Sequence, residues 1–469
     1  MSSTFDVVVI GGGPVGENVA DFATRSGLST VIVEGELLGG ECSYWACVPS
    51  KTLLRTGNAV AAVRRLPGTT VDFDPAAVLA RRDYFTGNWN DEGQLGWARS
   101  AGIAVLRGHG RLAGEKTVVV DDAPAGPETL TARRAVVVCT GSVPIRPPVP
   151  GLDSVRTWSS RDATAAKEIP ARLGVLGGGV VGTEIAQAFQ RLGSQVTLVQ
   201  RGPRLLPAAE PFAGERVVAA LRSEGVDVRL SRPLDSVSPA GDAITMHVEG
   251  DSIIVDELLL ATGRRPNSGS VGVETVGLEP GKPLAVDDTG LVEGVDGEWL
   301  YAAGDVTGRV LLTHQGKYQG RIVGGVIAAR SIGEELDTRP WGEHVTTADH
   351  VAVPQVVFTD PEVAFVGRTE SQARAAGLDI RVVDIPIAVS GAALHADGYD
   401  GEARLVVDET RRVVIGATFV GQDVAELIHS ATIAIVGEVP MDRLWHAVPS
   451  FPTISEVWLR LLEAYRTPS

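Results

Sequence analysis

The stretch "TFDVVVIGGGPVGENVADFATRSGLSTVIVEGE", residues 4–36, decides the fold. Val7–Ile10 is an apolar, β-branched run, which predicts a parallel strand buried on both faces. Gly11, Gly13 and Gly16 follow in G-x-G-x-x-G spacing. The first glycine permits a tight turn, the second lets a pyrophosphate approach the backbone, and the third lets a helix pack on the strand. Val15, Val19, Phe22 and Ala23 recur at helical spacing. A second strand, predicted over Thr30–Val33, runs into Glu34, where a carboxylate can accept hydrogen bonds from the hydroxyl pair of a ribose. A lone glycine motif is a weak signal. Here the strand, helix, second strand and terminal acid all stand in order.

The unit recurs in "RLGVLGGGVVGTEIAQAFQRLGSQVTLVQRGPRLLP". Gly177, Gly179 and Gly182 follow a predicted strand at Leu173–Leu176. The next strand, Gln195–Val199, ends in Gln200 where an acid would be, then Arg201 and Arg204. An acid repels a 2′-phosphate and arginine pairs with one, so this site leans to NADPH, with NADH the alternative coenzyme. Two dinucleotide sites imply two dinucleotides, one of them a resident flavin. Strands ending in Thr140-Gly141 ("AVVVCTGSVPIRPPVPG"), in Thr262-Gly263 ("ELLLATGRRPN") and in Gly304-Asp305 ("WLYAAGDVTG") support this expectation, Asp305 placing a carboxylate near a ligand phosphate or ribitol, although each alone is only a strand-to-turn junction. The Pro-rich segment after Gly141 reads as a linker. Residues from about 345 to 469 have their own strand and helix pattern and no dinucleotide motif.

Composition narrows the class. Net charge is −16 and no basic stripe appears, so neither nucleic acid nor an anionic membrane surface is an expected partner. The longest apolar runs fall far short of a membrane span. The amino terminus runs into "FDVVVIGGG" without a charged lead and apolar stretch, so a cytoplasmic protein without a signal peptide is expected. Three cysteines in 469 residues do not make a disulfide scaffold. Two of them, Cys42 and Cys47, lie close together in "GGECSYWACVPSK", residues 39–51. Such a pair is redox-active or metal-binding. No other cysteines or histidines cluster near it in sequence, which argues against a metal. Cys139 reads as a buried strand residue.

Taken in order, the first glycine motif, "GGECSYWACVPSK", the second glycine motif, "ATGRRPN", "AAGD", "PQVVFTDPEVAFVG" and "FPTISE" make the chain resemble the pyridine nucleotide–disulfide oxidoreductases. That family includes dihydrolipoamide dehydrogenase, glutathione reductase and mercuric reductase. The resemblance implies an α/β fold with two Rossmann-like domains. An FAD domain in two pieces, 1–150 and 270–340, would flank an NAD(P)H domain at 151–269, and an α+β dimerisation domain would follow at 345–469. It also implies a homodimer in which each active site is completed by the partner's C-terminal segment.

By the same resemblance, Cys42 and Cys47 form a redox-active disulfide beside the flavin. Cys42 matches the interchange thiol that attacks substrate, and Cys47 the thiol that contacts the isoalloxazine. Lys51 matches the lysine near flavin N5, and Glu184 its ion-pair partner. The glycines of the first motif, Glu34, Thr140, Gly141 and Asp305 fall at FAD positions. The glycines of the second motif, Arg201, Arg204 and Gly263 fall at NAD(P)H positions. A helix N-terminus and Lys51 are expected to favour thiolate over thiol at the cysteine pair.

One departure bears on substrate. Disulfide-reducing members carry H-P-x-x-x-E near the C-terminus, where histidine is the acid–base and glutamate orients it. In "AVPSFPTISEVWLRLLE", Pro452 and Glu456 match, but Phe451 stands at the histidine position. A positioned acid–base group contributes about 10²–10⁴-fold, and a phenyl ring cannot move a proton. His446, five residues upstream, is the one nearby substitute. The chain also lacks the C-terminal cysteine pair of mercuric reductase. The expected activity is NADPH oxidation with electrons passing through FAD and Cys42–Cys47 to a small acceptor that needs no histidine, such as an activated disulfide or soft metal ion. The alternatives are a flavin-level quinone or dye reductase with the disulfide a bystander, and a dihydrolipoamide dehydrogenase-type subunit of a larger complex.

Overall fold

The first strand, Ser2–Ile10, lies inside a seven-stranded sheet. It pairs in parallel with Thr30–Glu34 on one side and Glu128–Val138 on the other, placing Val9 opposite Ile32 and Val137. Val7, Val8 and Val9 are fully buried, as a parallel strand covered on both faces requires. The strand begins before the predicted Val7, because residues 2–5 pair with 129–132 and an irregularity at Phe5–Val7 resets the register. Ala104–Arg107 extends the sheet beyond Thr30–Glu34, and Leu300–Ala302 adds a parallel strand against Glu128–Val138. The antiparallel strands Thr117–Val120 and Gly110–Leu112 complete it. The helix Pro14–Arg25 packs its Val19, Ala20 and Ala23 into the same core as Val323, Val326 and Ile327 of the helix Thr313–Ser331.

This computed structural model describes residues 2–467. The chain divides into two compact units, one of Met1–Pro49, Arg82–Ile145 and Arg264–His350, the other of Ser50–Arg81, Arg146–Gly263 and Val351–Ser469. In the first unit the segment after Gly141 is not a plain linker. Ser142–Pro144 pairs antiparallel with Arg264–Pro266, so two of the Thr-Gly junctions are tied to one another.

The second unit holds the repeat. Its parallel sheet runs in the order Asp227–Leu230, Gln195–Gln200, Arg172–Leu176, Glu257–Leu260. The helix Val180–Leu192 ends at Gly193, whose φ of 111° is the left-handed stop that glycine supplies. A three-stranded antiparallel sheet, Ser236–Ala240, Ala243–Val248 and Asp251–Val255, is formed by consecutive hairpins. The C-terminal segment forms a five-stranded sheet in the order Gln355–Val357, Glu362–Gly367, Val413–Gly421, Glu402–Asp408, Ile380–Pro386. All nine residues of Val413–Gly421 are buried, which fits its central place. The architecture is α/β, with one mixed and one parallel sheet carrying the glycine motifs, a three-stranded hairpin sheet and an antiparallel C-terminal sheet.

Candidate active site

In the first unit the three motif glycines are there for two different reasons. Gly11 has φ +103°, and a Cβ on it would lie 2.5 Å from the Cys139 carbonyl oxygen. A Cβ on Gly16 would lie 1.9 Å from the Gly11 carbonyl oxygen. The chain itself forbids side chains at both. Gly13 is different. Its φ of −73° suits any residue, and the nearest atom to a Cβ there is Gly40 Cα at 3.9 Å. The protein leaves open the space that a side chain at Gly13 would fill. Gly13 is also the N-cap of a helix with no side-chain cap, so backbone N–H donors face that opening. Uncapped donors at a helix N-terminus favour an anion. These residues fit a dinucleotide diphosphate.

Glu34 ends the second strand as expected. Its Oε2 accepts the Gly12 N–H at 2.7 Å and its Oε1 accepts the Glu36 N–H at 2.7 Å. Burial pushes its carboxyl upward in pKa, against those hydrogen bonds. Thr140 and Gly141 are locked to the "RRPN" segment: Thr140 Oγ1 donates to the Asn267 carbonyl at 2.6 Å, and the Asn267 N–H donates to the Gly141 carbonyl at 3.0 Å. Asp305 accepts from Ser142 Oγ at 2.6 Å, and Ser142 Oγ accepts from Arg264 Nε at 2.7 Å. Arg264 also pairs with Glu41, the neighbour of Cys42. Burial raises the Asp305 carboxyl, with Ser142 and Arg264 opposing. Behind it, the Gly304 N–H donates to Gln319 Oε1 at 2.7 Å, and Gln319 Nε2 donates to Asp349 at 2.8 Å.

The cysteine stretch folds as two helices, Gly40–Tyr44 and Cys47–Arg64, interrupted at Trp45–Ala46. Left-handed Gly39 and Gly40 turn the chain into the first. Tyr44 Oη donates to the Leu38 carbonyl at 3.0 Å, and Trp89 Nε1 to the Tyr44 carbonyl at 3.1 Å. The interruption brings Cys42, on the short helix, into side-chain hydrogen bonding with Cys47 at the start of the long one. Both are half-buried and neither is joined in a disulfide. Cys47 Sγ lies 3.4 Å from Thr313 Oγ1. The Cys42 thiol is raised well above its ordinary value, first by the hydrogen bond with Cys47, then by burial and by the Cys47 charge. A second sulfur close by penalises a charge on Cys42. Cys139 is buried in the strand junction, and burial pushes its thiol up to about 12.

In the second unit the glycine pattern repeats. Gly177, at φ +113°, would place a Cβ 2.3 Å from the Ala261 carbonyl oxygen, and Gly182 one 2.0 Å from that of Gly177. Gly179, at φ −78°, meets nothing within 4 Å. Gln200 Oε1 accepts the Gly178 N–H at 3.2 Å, and its Nε2 donates to the Arg204 carbonyl at 3.3 Å. Arg201 is exposed. Arg204 is half-buried and donates to the Pro207 carbonyl at 2.9 Å. Gly263 has φ +121°. Lys51 Nζ and Glu184 Oε2 pair at 2.7 Å, with the Glu184 side chain 3% exposed. Glu184 Oε1 accepts the Phe358 N–H at 2.9 Å, and Lys51 lies 5.0 Å over the Phe358 ring. Phe358 belongs to "PQVVFTDPEVAFVG", so that motif carries part of the support for the ion pair.

Near the C-terminus Phe451 is 73% exposed and Val448 85% exposed. Glu456 is buried, with Oε1 accepting from Arg460 at 2.7 Å. Its Oε2 is buried without a hydrogen-bond partner among the described residues. His446 is exposed.

A pair of half-buried thiols and two glycine turns shaped for dinucleotides define a redox flavoprotein with a thiol centre. The chain matches the family described as pyridine nucleotide-disulphide oxidoreductase over residues 5–320, and that family's dimerisation domain over residues 353–462. It belongs to this family. It is 31% identical to a dihydrolipoyl dehydrogenase of Chlamydia muridarum, over 98% of this chain and 96% of that one. It is 29% identical to a mercuric reductase of Staphylococcus aureus, over 96% of this chain and 81% of that one. Among solved structures, the Cu(II) complex of the HOCl-induced flavoprotein disulfide reductase RclA from Escherichia coli aligns with a TM-score of 0.84 at 26% identity, over 98% of this chain and 99% of that one. The protein is accordingly an oxidoreductase that uses FAD and NAD(P)H. No helix among the described residues is long and apolar enough to cross a membrane.

Proposed function

We propose that the protein oxidises NADPH and delivers the electrons, through the Cys42–Cys47 pair, to an acceptor that needs no histidine acid–base. FAD, when bound, supplies the relay between a hydride donor and a dithiol. The observation that carries the reading is the contact of Cys42 with Cys47 beside Thr313, in a chain with phenylalanine at position 451. The Gly13 turn, Glu34, the Thr140–Gly141 junction and Asp305 hold FAD. The Gly179 turn, Arg201, Arg204 and Gly263 hold the nicotinamide coenzyme, and Glu184 holds Lys51 in place. The protein works as a cytoplasmic homodimer. The exposed Phe451 and the buried, unpartnered Glu456 Oε2 support a C-terminal segment that meets a second subunit and completes its site.

The acceptor follows from proton accounting. An ordinary alkyl disulfide releases a thiolate whose parent pKa is about 8.5, and this departs slowly unless protonated. Phe451 gives no proton. A metal ion has no leaving group: the two thiols of Cys42 and Cys47 join as a disulfide and release two protons to solvent, and the two electrons go to the metal, as one two-electron reduction or as one electron to each of two Cu(II) ions. The likeness to a Cu(II) complex of RclA and to mercuric reductase supports a soft or redox-active metal ion over an alkyl disulfide. The test is Cys42→Ser under anaerobic conditions. Bleaching of the flavin by NADPH should persist, while turnover with Cu(II) or an aromatic disulfide should fall at least a hundredfold, roughly the lower bound for losing a covalent catalyst. Unchanged turnover would establish the flavin-level reductase instead.

A further inference from the structure

The strand next to Gln195–Gln200 brings in a residue that the glycine motif does not include. Asp227–Leu230 pairs in parallel with Gln195–Gln200, Leu230 lying opposite Gln200. Beyond the strands the two chain segments stay zipped together. The Ser231 N–H donates to the Gly202 carbonyl at 2.9 Å, and the Arg232 N–H to the Gln200 carbonyl at 3.1 Å. Arg232 is thereby fixed, through its backbone, to the residue that precedes Arg201. Its side chain is 48% exposed and forms an ion pair with Glu249.

Glu249 is itself held in place. It sits with Gly250 at the tip of the hairpin joining Ala243–Val248 to Asp251–Val255, both residues having positive φ. That is the geometry of a two-residue turn matched to strand twist. The Glu249 N–H donates to Asp235 Oδ2 at 2.8 Å, which anchors the tip. The neighbouring Arg229 is already engaged by Asp227 and Asp251. Among the described residues Arg232 has a single exposed carboxylate partner, and such a pair contributes little on its own. A phosphate dianion offers more charge and more acceptor oxygens than one carboxylate.

We infer that Arg232 is a third guanidinium, with Arg201 and Arg204, for the 2′-phosphate of NADPH, and that Glu249 occupies it until the coenzyme arrives. This rests on the NADPH reading above and adds a specificity device to it: an acid that must be displaced by a phosphate, which NADH lacks.

The experiment is titration of the FAD-loaded, oxidised protein with NADP⁺ and with NAD⁺ by calorimetry. Arg232→Ala should weaken NADP⁺ binding about tenfold or more, as loss of a charge-assisted contact does, and leave NAD⁺ within about twofold. Glu249→Gln should tighten NADP⁺ severalfold and leave NAD⁺ alone. In the double variant that gain should vanish. Equal losses for both nucleotides in Arg232→Ala, or no change for either, would overturn the inference. Arg201→Ala separates it from the reading it rests on. If Arg201→Ala discriminates between the coenzymes and Arg232→Ala does not, only the role of Arg232 falls. Equal wild-type affinity for NADP⁺ and NAD⁺ would remove the NADPH reading itself. Both residues lie on the surface, so circular dichroism and FAD content should match wild type.

Discussion

The two glycine turns answer the same mechanical problem with different chemistry. In both, the first and third glycines are fixed by the chain's own carbonyls, and the second stands open. In both, the residue ending the next strand accepts the N–H of the glycine after the first one. Glu34 does this at 2.7 Å as a carboxylate, and Gln200 at 3.2 Å as an amide. Supporting the turn therefore needs an acceptor and not a charge. The charge at that position is free to differ between the two turns. The helices differ as well. After the third glycine the second unit has Thr183, whose Oγ1 donates to the Gly179 carbonyl at 2.7 Å. The first has Glu17, whose Oε1 is buried without a partner among the described residues.

The comparison breaks most visibly at the glycines. Gly16→Ala and Gly182→Ala each drive a methyl into a carbonyl, and overpacking of this kind costs about 1–3 kcal/mol or more. Each should lower Tm by several degrees, Gly16→Ala with loss of FAD and Gly182→Ala with loss of NADPH binding. Gly13→Ala makes only an ordinary contact, with Gly40 Cα at 3.9 Å, and Gly179→Ala meets nothing within 4 Å, so the Tm of the FAD-free protein should hold while the corresponding nucleotide binds at least tenfold more weakly. An equal fall in apo Tm for Gly13→Ala and Gly16→Ala would mean that ligand approach does not explain Gly13.

Gln200→Glu gives the second turn the first turn's acid. The Gly178 N–H keeps its acceptor, so FAD content and Tm should be unchanged. The ratio of kcat/KM for NADPH over NADH should fall roughly ten- to a hundredfold, the size of a charged hydrogen bond made or lost. A ratio that stays put would mean that the strand-end charge does not choose the coenzyme.

The smallest effect is expected at Glu17. Burial holds its carboxyl at about 7, with Lys317 pulling down and Glu34 pushing up. The folded pKa lies above the usual 4.5, so the folded chain binds the proton more tightly. Stability is then lost as pH rises from about 4.5 to about 7, and stays lower above that. Glu17→Gln removes the cost. It should stabilise the protein by on the order of 1–3 kcal/mol at pH 8 and by almost nothing at pH 4.5. Equal gains in denaturant midpoint at both pH values would exclude the linkage.

What the sequence revealed of this molecule was its local order. Gly11, Gly13, Gly16 and Glu34 were readable because one strand, one helix and one strand lie within thirty-odd residues, and period and spacing suffice over that distance. Lys51 and Glu184 were readable only through the family resemblance, since 133 residues separate them. The chain from Glu41 through Arg264 and Ser142 to Asp305 was not readable. Its links span 223, 122 and 163 residues, and a lone serine or arginine beside a Thr-Gly junction carries no signal of its partner. The same holds for Gln319 and Asp349 behind Gly304, and for Phe358 at Glu184. The rise of the Cys42 thiol was unreadable for a related reason: a helix terminus is visible in sequence, but the contact of a second sulfur is a tertiary fact.

The close approach of Gly40 to Gly13 has a consequence for how such chains can diverge. A Cβ on Gly40 would lie 2.6 Å from Gly13 Cα, at a residue whose φ is already +59°. The short helix that bears Cys42 thus rests directly on the first glycine turn, with no side chain between them to absorb a change. Position 40 cannot gain even a methyl unless the backbone at position 13 retreats. The two segments, 27 positions apart in the chain, are therefore coupled mechanically: a side chain at position 40 demands a shift at position 13.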